Sequence, residues 1–114
     1  MSQFWPQVPD DSGWASLTLA ASWVAYGSGY GSPRYRRKNG RVQVEGLIKS
    51  GTTTAGTVIA TLPASFRPAS QQIYPAHNGA TARGLQVATN GEVSLGSGIT
   101  NAELSLAGIS FFVG

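Results

Sequence analysis

The chain has no cysteine and a single histidine, His77, among its 114 residues. Without cysteine there is neither a disulfide framework nor a thiolate metal site. One histidine and scattered carboxylates supply too few ligands for a metal site within one chain. Charge is scarce as well. Asp, Glu, Lys and Arg make up 11% of the residues, against roughly 25% in soluble domains. Glycine (15 residues), serine and threonine fill the gap. A surface of hydroxyls, amides and backbone suits an extracellular or particle-bound protein. No apolar run approaches the ~20 residues of a membrane span, so no membrane insertion is expected. The start, Met1 to Pro6, has neither the basic beginning nor the apolar core of a secretory signal. The expectation is a protein that reaches the outside by lysis, as part of a particle.

Catalytic groups are equally few. A Ser-His-Asp triad would need His77 with Asp10 or Asp11, which lie in a proline-rich segment, and no nucleophile elbow is present. Cleavage of a glycosidic bond needs two carboxyls facing one cleft. The candidates are Glu45, Glu92 and Glu103, for which ordinary surface charge is the expected role. Gly27, Gly29 and Gly31 lack the strand-to-helix context of a phosphate-binding loop. No cofactor is expected, and the residues favour a binding protein over an enzyme.

What is present is β-structure. In the stretch from Arg34 to Lys49, Asn39-Gly40 separates two runs suited to strands. That dipeptide fits a type I′ turn, which needs φ > 0 at both central residues. Val42 and Val44 then alternate with Gln43 and Glu45, which places the valines on one face and the polar pair on the other. Five of the eight cations, Arg34, Arg36, Arg37, Lys38 and Arg41, fall in this hairpin. Clustered cations can bind phosphates. A solvated basic arm, or cations paired with carboxylates of a neighbouring chain, is the expected reading, and nucleic acid is not an expected partner.

The other segments follow the same logic. Residues 1–13 carry Pro6, Pro9 and Gly13 and are expected to form either an arm or linker whose Phe4 and Trp5 dock on a neighbour or a disordered tail. Residues 14–114 form the folded domain. Leu17 and Leu19 alternate with Ser16 and Thr18, which predicts a strand between Trp14 and Trp23, with a short helix, which Ala20 and Ala21 would tolerate, as the alternative. Tyr26 to Pro33 is a Gly/Ser/Tyr loop. Strands are predicted for Thr57–Leu62, stopped by Pro63, and for Gln71–His77, where Pro75 suggests an edge or a bulge. Phe66 is expected to tuck inward between Pro63 and Pro68. Asn78-Gly79 and Asn90-Gly91 are predicted turns of the same kind as Asn39-Gly40. In the last run the apolar parity changes between Leu104/Leu106 and Ile109/Phe111/Val113, as one extra residue at a bulge near Ala107-Gly108 would produce. Many short strands and no long helix predict an all-β fold, an antiparallel β-sandwich or jelly-roll-like head.

Saccharides are held by an aromatic face against their C–H surface and by polar side chains that take the hydroxyls. Trp23, Tyr26, Tyr30, Tyr74, His77 and Arg83 have the right chemistry and are the candidate ligand-binding residues. Each also has a structural reading: Trp23 as a wall of the core, His77 as an exposed turn residue.

Three stretches carry a resemblance. They are Arg34-Tyr-Arg with Asn39-Gly-Arg-Val-Gln-Val-Glu-Gly-Leu-Ile48, Thr57-Val-Ile-Ala-Thr-Leu-Pro-Ala-Ser-Phe-Arg-Pro68, and Leu104-Ser-Leu-Ala-Gly-Ile-Ser-Phe111. From about Trp14 to Val113 the chain resembles the C-terminal head domains of tail-fibre, baseplate and minor tail proteins of phages of Gram-positive bacteria. These are scaffold motifs, and none assigns a ligand residue. The resemblance implies a homotrimer of β-sandwich heads on a virion, joined to other tail or baseplate proteins, that recognises host cell-surface glycan without catalysis. The chain lacks the shaft of a full fibre protein, so an excised head or a separate small subunit is expected. Association would also bury the apolar area that a small sandwich with few charges exposes.

Overall fold

The computed structural model describes residues 11–113, which form an all-β fold of antiparallel strands. Residues 1–10, most of the expected arm with Phe4 and Trp5, lie outside the described residues. In chain order the strands are β1 (Ala15–Ser16), β2 (Val24–Ala25), β3 (Arg34–Lys38), β4 (Arg41–Glu45), β5 (Leu47–Lys49), β6 (Val58–Thr61), β7 (Gln72–Asn78), β8 (Thr81–Val87), β9 (Glu92–Leu95), β10 (Leu104–Ser105) and β11 (Ser110–Phe112). They make three sheets, ordered β1-β3-β4-β11, β10-β5-β2 and β6-β9-β8-β7. Among the described residues no helix is long and apolar enough to cross a membrane.

One apolar core joins the three sheets. Alternation along each strand supplies it: Val42 and Val44 from β4, Ile48 from β5, Leu85 and Val87 from β8, Val93 and Leu95 from β9 are all buried. The β3–β4 turn has the expected form, with Asn39 at φ 52° and Gly40 at φ 77°. The basic strand is no free arm, however. β3 lies between β1 and β4, and its Arg34, Arg36 and Arg37 are half-buried. Pro75 sits on β7, an edge strand as expected, and Phe66 turns inward to meet the Tyr35 ring edge-on at 5.0 Å.

The parity change near the C-terminus is the bulge that the pattern predicts. β10 pairs with β5 through Leu104↔Ile48 and Ser105↔Leu47, and β11 pairs with β4 through Ser110↔Gln43 and Phe111↔Val42. Between these pairs, three residues (44–46) face four (106–109). The ladder continues across the gap, because the Leu106 N–H donates to Gly46 O at 2.8 Å and the Val44 N–H to Ile109 O at 3.1 Å. One long antiparallel ribbon thus bends from the first sheet into the second, and Leu104, Leu106, Ile109 and Phe111 all stay in the core. Gly46 is required at the bend: its φ is 130°, and a Cβ there would stand 2.5 Å from the Cα of Pro33.

Three expectations are corrected. The Trp14–Trp23 strand is cut to Ala15–Ser16, and before Trp23 the chain turns at Ala21 and Ser22, which both take positive φ. Leu17 is still buried and Leu19 half-buried. The turn expected at Asn78-Gly79 is displaced by one residue. Asn78 pairs with Thr81 as the last residue of its strand, leaving Gly79 and Ala80 as the central pair. Only Gly79 of these has φ > 0, as in a II′ rather than a I′ turn. The physical reason is the Asn78 side chain, which is engaged in the interior. At Asn90-Gly91 only the glycine has φ > 0. Gly91 N–H donates to Ala88 O and Ala88 N–H to Glu92 O, the pattern of a three-residue loop with a glycine bulge.

Candidate functional site

A bulge re-aims side chains and often borders a functional site. Here the bent ribbon forms the floor of a cleft of about 580 Å³. Glu45, Gly46 and Leu47 contribute one strand of that floor and Ser105 and Ala107 the other. Tyr30 and Gly31 form one wall, His77 and Glu103 complete the lining.

Each wall is fastened by identifiable bonds. The Leu47 N–H donates to Gly31 O at 3.1 Å and the Tyr26 N–H to Leu47 O at 2.9 Å, which hold the tyrosine loop against β5. Within that loop the Tyr26 and Tyr30 rings meet edge-on at 5.3 Å, and Lys49 Nζ stands 5.1 Å from the Tyr26 ring centre. Tyr26 is half-buried and supports Tyr30, which is 59% exposed. The far side depends on Asn78, the one buried polar residue among those described, at 6% exposure. Its Nδ2 donates to Thr100 O at 3.0 Å and to Glu103 O at 2.8 Å, and its Oδ1 accepts from the Thr100 N–H at 3.0 Å. Asn78 therefore ties the 100–103 segment to β7, next to His77.

Glu45 has a partner at the cleft edge. Arg34 Nε donates to its Oε1 at 2.6 Å, and the Arg34 NH2 group lies 2.5 Å from the same oxygen. Arg34 is itself placed by Trp14, whose ring centre lies 4.2 Å from the guanidinium carbon. Chemically the cleft offers an aromatic face, an imidazole, two carboxylates that accept hydrogen bonds from hydroxyl groups and a serine hydroxyl. Among the described residues there is no group of three or more His, Asp or Glu side chains that could hold a metal.

The six sequence-derived candidates separate. Tyr30 and His77 line the cleft, and Tyr26 backs it. Trp23 is 3% exposed, and its indole N–H donates to Thr52 O at 3.0 Å. Its ring is a wall of the core and out of reach of a ligand, which removes it from the site. Tyr74 is half-buried, 6.3 Å from the Phe111 ring, and burial raises its phenol above the usual 10.0. Arg83 lies apart, in a shallow depression with Ile73, Gly84, Gln86, Gly96 and Ser97. Of the three carboxylates weighed for catalysis, Glu45 and Glu103 share the cleft and Glu92 does not line it. Sequence reasoning missed Asn78 and Ser105. An asparagine before glycine signals a turn, and nothing local marks it as an interior anchor.

No protein-family model and no curated protein matches the chain. A solved structure does: the crystal structure of the receptor binding protein (gp15) of Listeria phage PSA is similar over 90% of this chain, with a TM-score of 0.72 and 19% sequence identity. The chain spans 65% of the length of that protein. At this identity the likeness is one of fold.

Proposed function

We propose that the chain is a receptor-binding head of a phage tail that holds host cell-surface saccharide in the bulge cleft and does not cleave it. The observation that carries this reading is the convergence of Tyr30, Glu45, His77, Glu103 and Ser105 on one open cleft. An exposed ring packs against the C–H face of a sugar, while carboxylates, imidazole and hydroxyl take its O–H groups. Likeness of fold to a phage receptor binding protein supports the same reading. As a head on a virion it would work with other tail or baseplate proteins as a homotrimer. Val24 at 48% and Ile73 at 67% exposure supply apolar surface for such association. Three weak sites per head, repeated over a particle, give avidity through effective concentration.

The test is adsorption of the purified chain to cell-wall polysaccharide from candidate hosts. Tyr30→Ala should lower retention by about tenfold or more and leave the folded structure intact. Retention unchanged by Tyr30→Ala and by His77→Ala would remove the cleft from the proposal. A structural cap without a ligand would also tolerate deletion of the Tyr26–Gly31 loop.

Glycan cleavage is the second reading, because Glu45 and Glu103 line the same cleft and paired carboxylates do this chemistry. The Arg34 guanidinium on Glu45 opposes it, since a proton-donating role for Glu45 would cost that ion pair. Release of reducing ends from the polysaccharide, lost in Glu45→Gln, would establish cleavage.

A further inference from the structure

The outer face of the first sheet carries a second, differently charged feature. β3 and β4 pair as Arg36↔Gln43 and Lys38↔Arg41, and β11 adds Phe112 opposite Arg41. Paired residues point to the same side of a sheet. Arg36, Lys38, Arg41 and Phe112 therefore share one face, and with Asn39 and Gln43 they line a groove of about 300 Å³. Among the described residues no carboxylate lines it.

Two local rules are broken there. Lys38 and Arg41 stand directly opposite each other beside a tight turn, an arrangement of like charges that destabilises a strand pair. Phe112, 73% exposed, lies next to these cations. The nearby carboxylates relieve neither. Glu45 is paired with Arg34. Asp11 faces Lys38 through a backbone bridge, yet its Oδ1 accepts from the Gly13 N–H and forms no ion pair with Lys38. The arginines are held by neutral groups instead. Arg36 Nε donates to Gln43 Oε1 at 3.2 Å and Arg41 Nε to Ser110 Oγ at 2.7 Å, while Trp14 lies 4.7 Å from the Arg36 guanidinium carbon. Both guanidinium groups are thus oriented, and among the described residues neither has a carboxylate as ion-pair partner. Departures from local rules without structural gain mark functional positions.

We propose that this groove binds a phosphate monoester carried on a sugar or other small alcohol. A monoester carries about −1.5 to −2 charge near neutral pH and three acceptor oxygens, which answers three cations better than a single carboxylate does. Guanidinium groups match its geometry, and Phe112 offers an apolar face to the carrier. A nucleic-acid footprint is disfavoured by extent. Of the remaining five cations, Arg34 is paired with Glu45, Arg37 donates to Ser65 O, Lys49 lies over Tyr26, Arg67 donates to Leu62 O and Arg83 lies in a separate depression. The groove is independent of the bulge cleft and stands whether or not that cleft takes saccharide.

The experiment is an NMR titration of the whole chain at low ionic strength with glucose 6-phosphate. Inorganic phosphate, glucuronate and a single-stranded oligothymidylate serve as comparison probes. Glucose 6-phosphate should saturably shift the amides of Lys38, Arg41 and Phe112 and bind more tightly than inorganic phosphate or glucuronate. The double variant Lys38→Gln/Arg41→Gln should lose about tenfold in affinity while melting no lower than the parent, because the opposed charges are gone. Absence of a saturable shift, unchanged affinity in the double variant, or equal binding of glucuronate would each overturn the proposal. Tighter binding of the oligonucleotide would overturn it in favour of a nucleic-acid surface.

Discussion

Asn78 Nδ2 donates to the backbone carbonyl of Glu103 at 2.8 Å. The asparagine immediately follows His77, so this bond joins the β7 wall of the cleft to the segment that carries Glu103. A second bond from the same nitrogen, to Thr100 O, and one from the Thr100 N–H to Oδ1 complete the tie. A buried side chain holding three backbone groups of another segment is a positioning device as well as a stabilising one. Its removal leaves those groups without partners.

Asn78→Ala is expected to destabilise the fold by about 2–4 kcal/mol, since several part-buried polar groups lose their hydrogen bonds at once. Urea unfolding measures this. Because Glu103 is released, saccharide retention should fall even under conditions where the variant remains folded.

Tyr30→Ala separates binding from stability. The ring is exposed and supports no core packing, so the change in stability should stay within about 0.5 kcal/mol. Retention on host polysaccharide should fall by about tenfold or more, as loss of one stacked aromatic contact predicts. Parallel thermal melts and adsorption assays check the two halves of this expectation.

Trp23 and Gly51 should behave in the opposite way. A Cβ on Gly51 would overlap the Trp23 ring, so Gly51→Ala is expected to cost about 1–3 kcal/mol by overpacking. Trp23→Ala should cost about 3–5 kcal/mol through the cavity it leaves. Both losses appear in denaturant midpoints, and neither variant should alter affinity once corrected for the folded fraction.

The Arg34–Glu45 pair is half exposed, with side-chain exposures of 43% and 35%. Screening by solvent limits its worth, so Glu45→Gln should lower stability by less than about 1 kcal/mol. The difference should shrink further in high salt. Chemical unfolding of the two proteins at low and high ionic strength tests this.

Tyr74 predicts an alkaline sensitivity. Burial raises its phenol above 10.0 in the folded state. Between the unfolded and the folded value the unfolded chain is the more deprotonated, so stability is full below pH 10 and falls as pH rises above it. Tyr74→Phe should blunt that loss. Unfolding free energies at a series of alkaline pH values, with tyrosinate absorbance as the titration signal, give the comparison.

Local chemistry made much of this legible. Val42 and Val44 alternate with polar residues because a pleated strand has a period of two. Asn39-Gly40 turns the chain because both residues tolerate φ > 0. The parity shift across Ala107-Gly108 announced a bulge because one added residue exchanges the faces of a strand. These rules act over a few neighbouring residues, so sequence alone carries them. The same reasoning failed where distant partners intervene. Asn78 looks like a turn residue until Thr100 and Glu103 are brought beside it. Trp23 has the chemistry of a sugar-binding aromatic until the core closes around it. Tyr30, Glu45, His77 and Glu103 are far apart along the chain and share a cleft because β4–β5 and β10–β11 form one bent ribbon, the tyrosine loop bonds to β5, and Asn78 ties β7 to the 100–103 segment. Strand pairing and burial depend on the whole chain at once, and they determine which of its few chemically capable side chains meet.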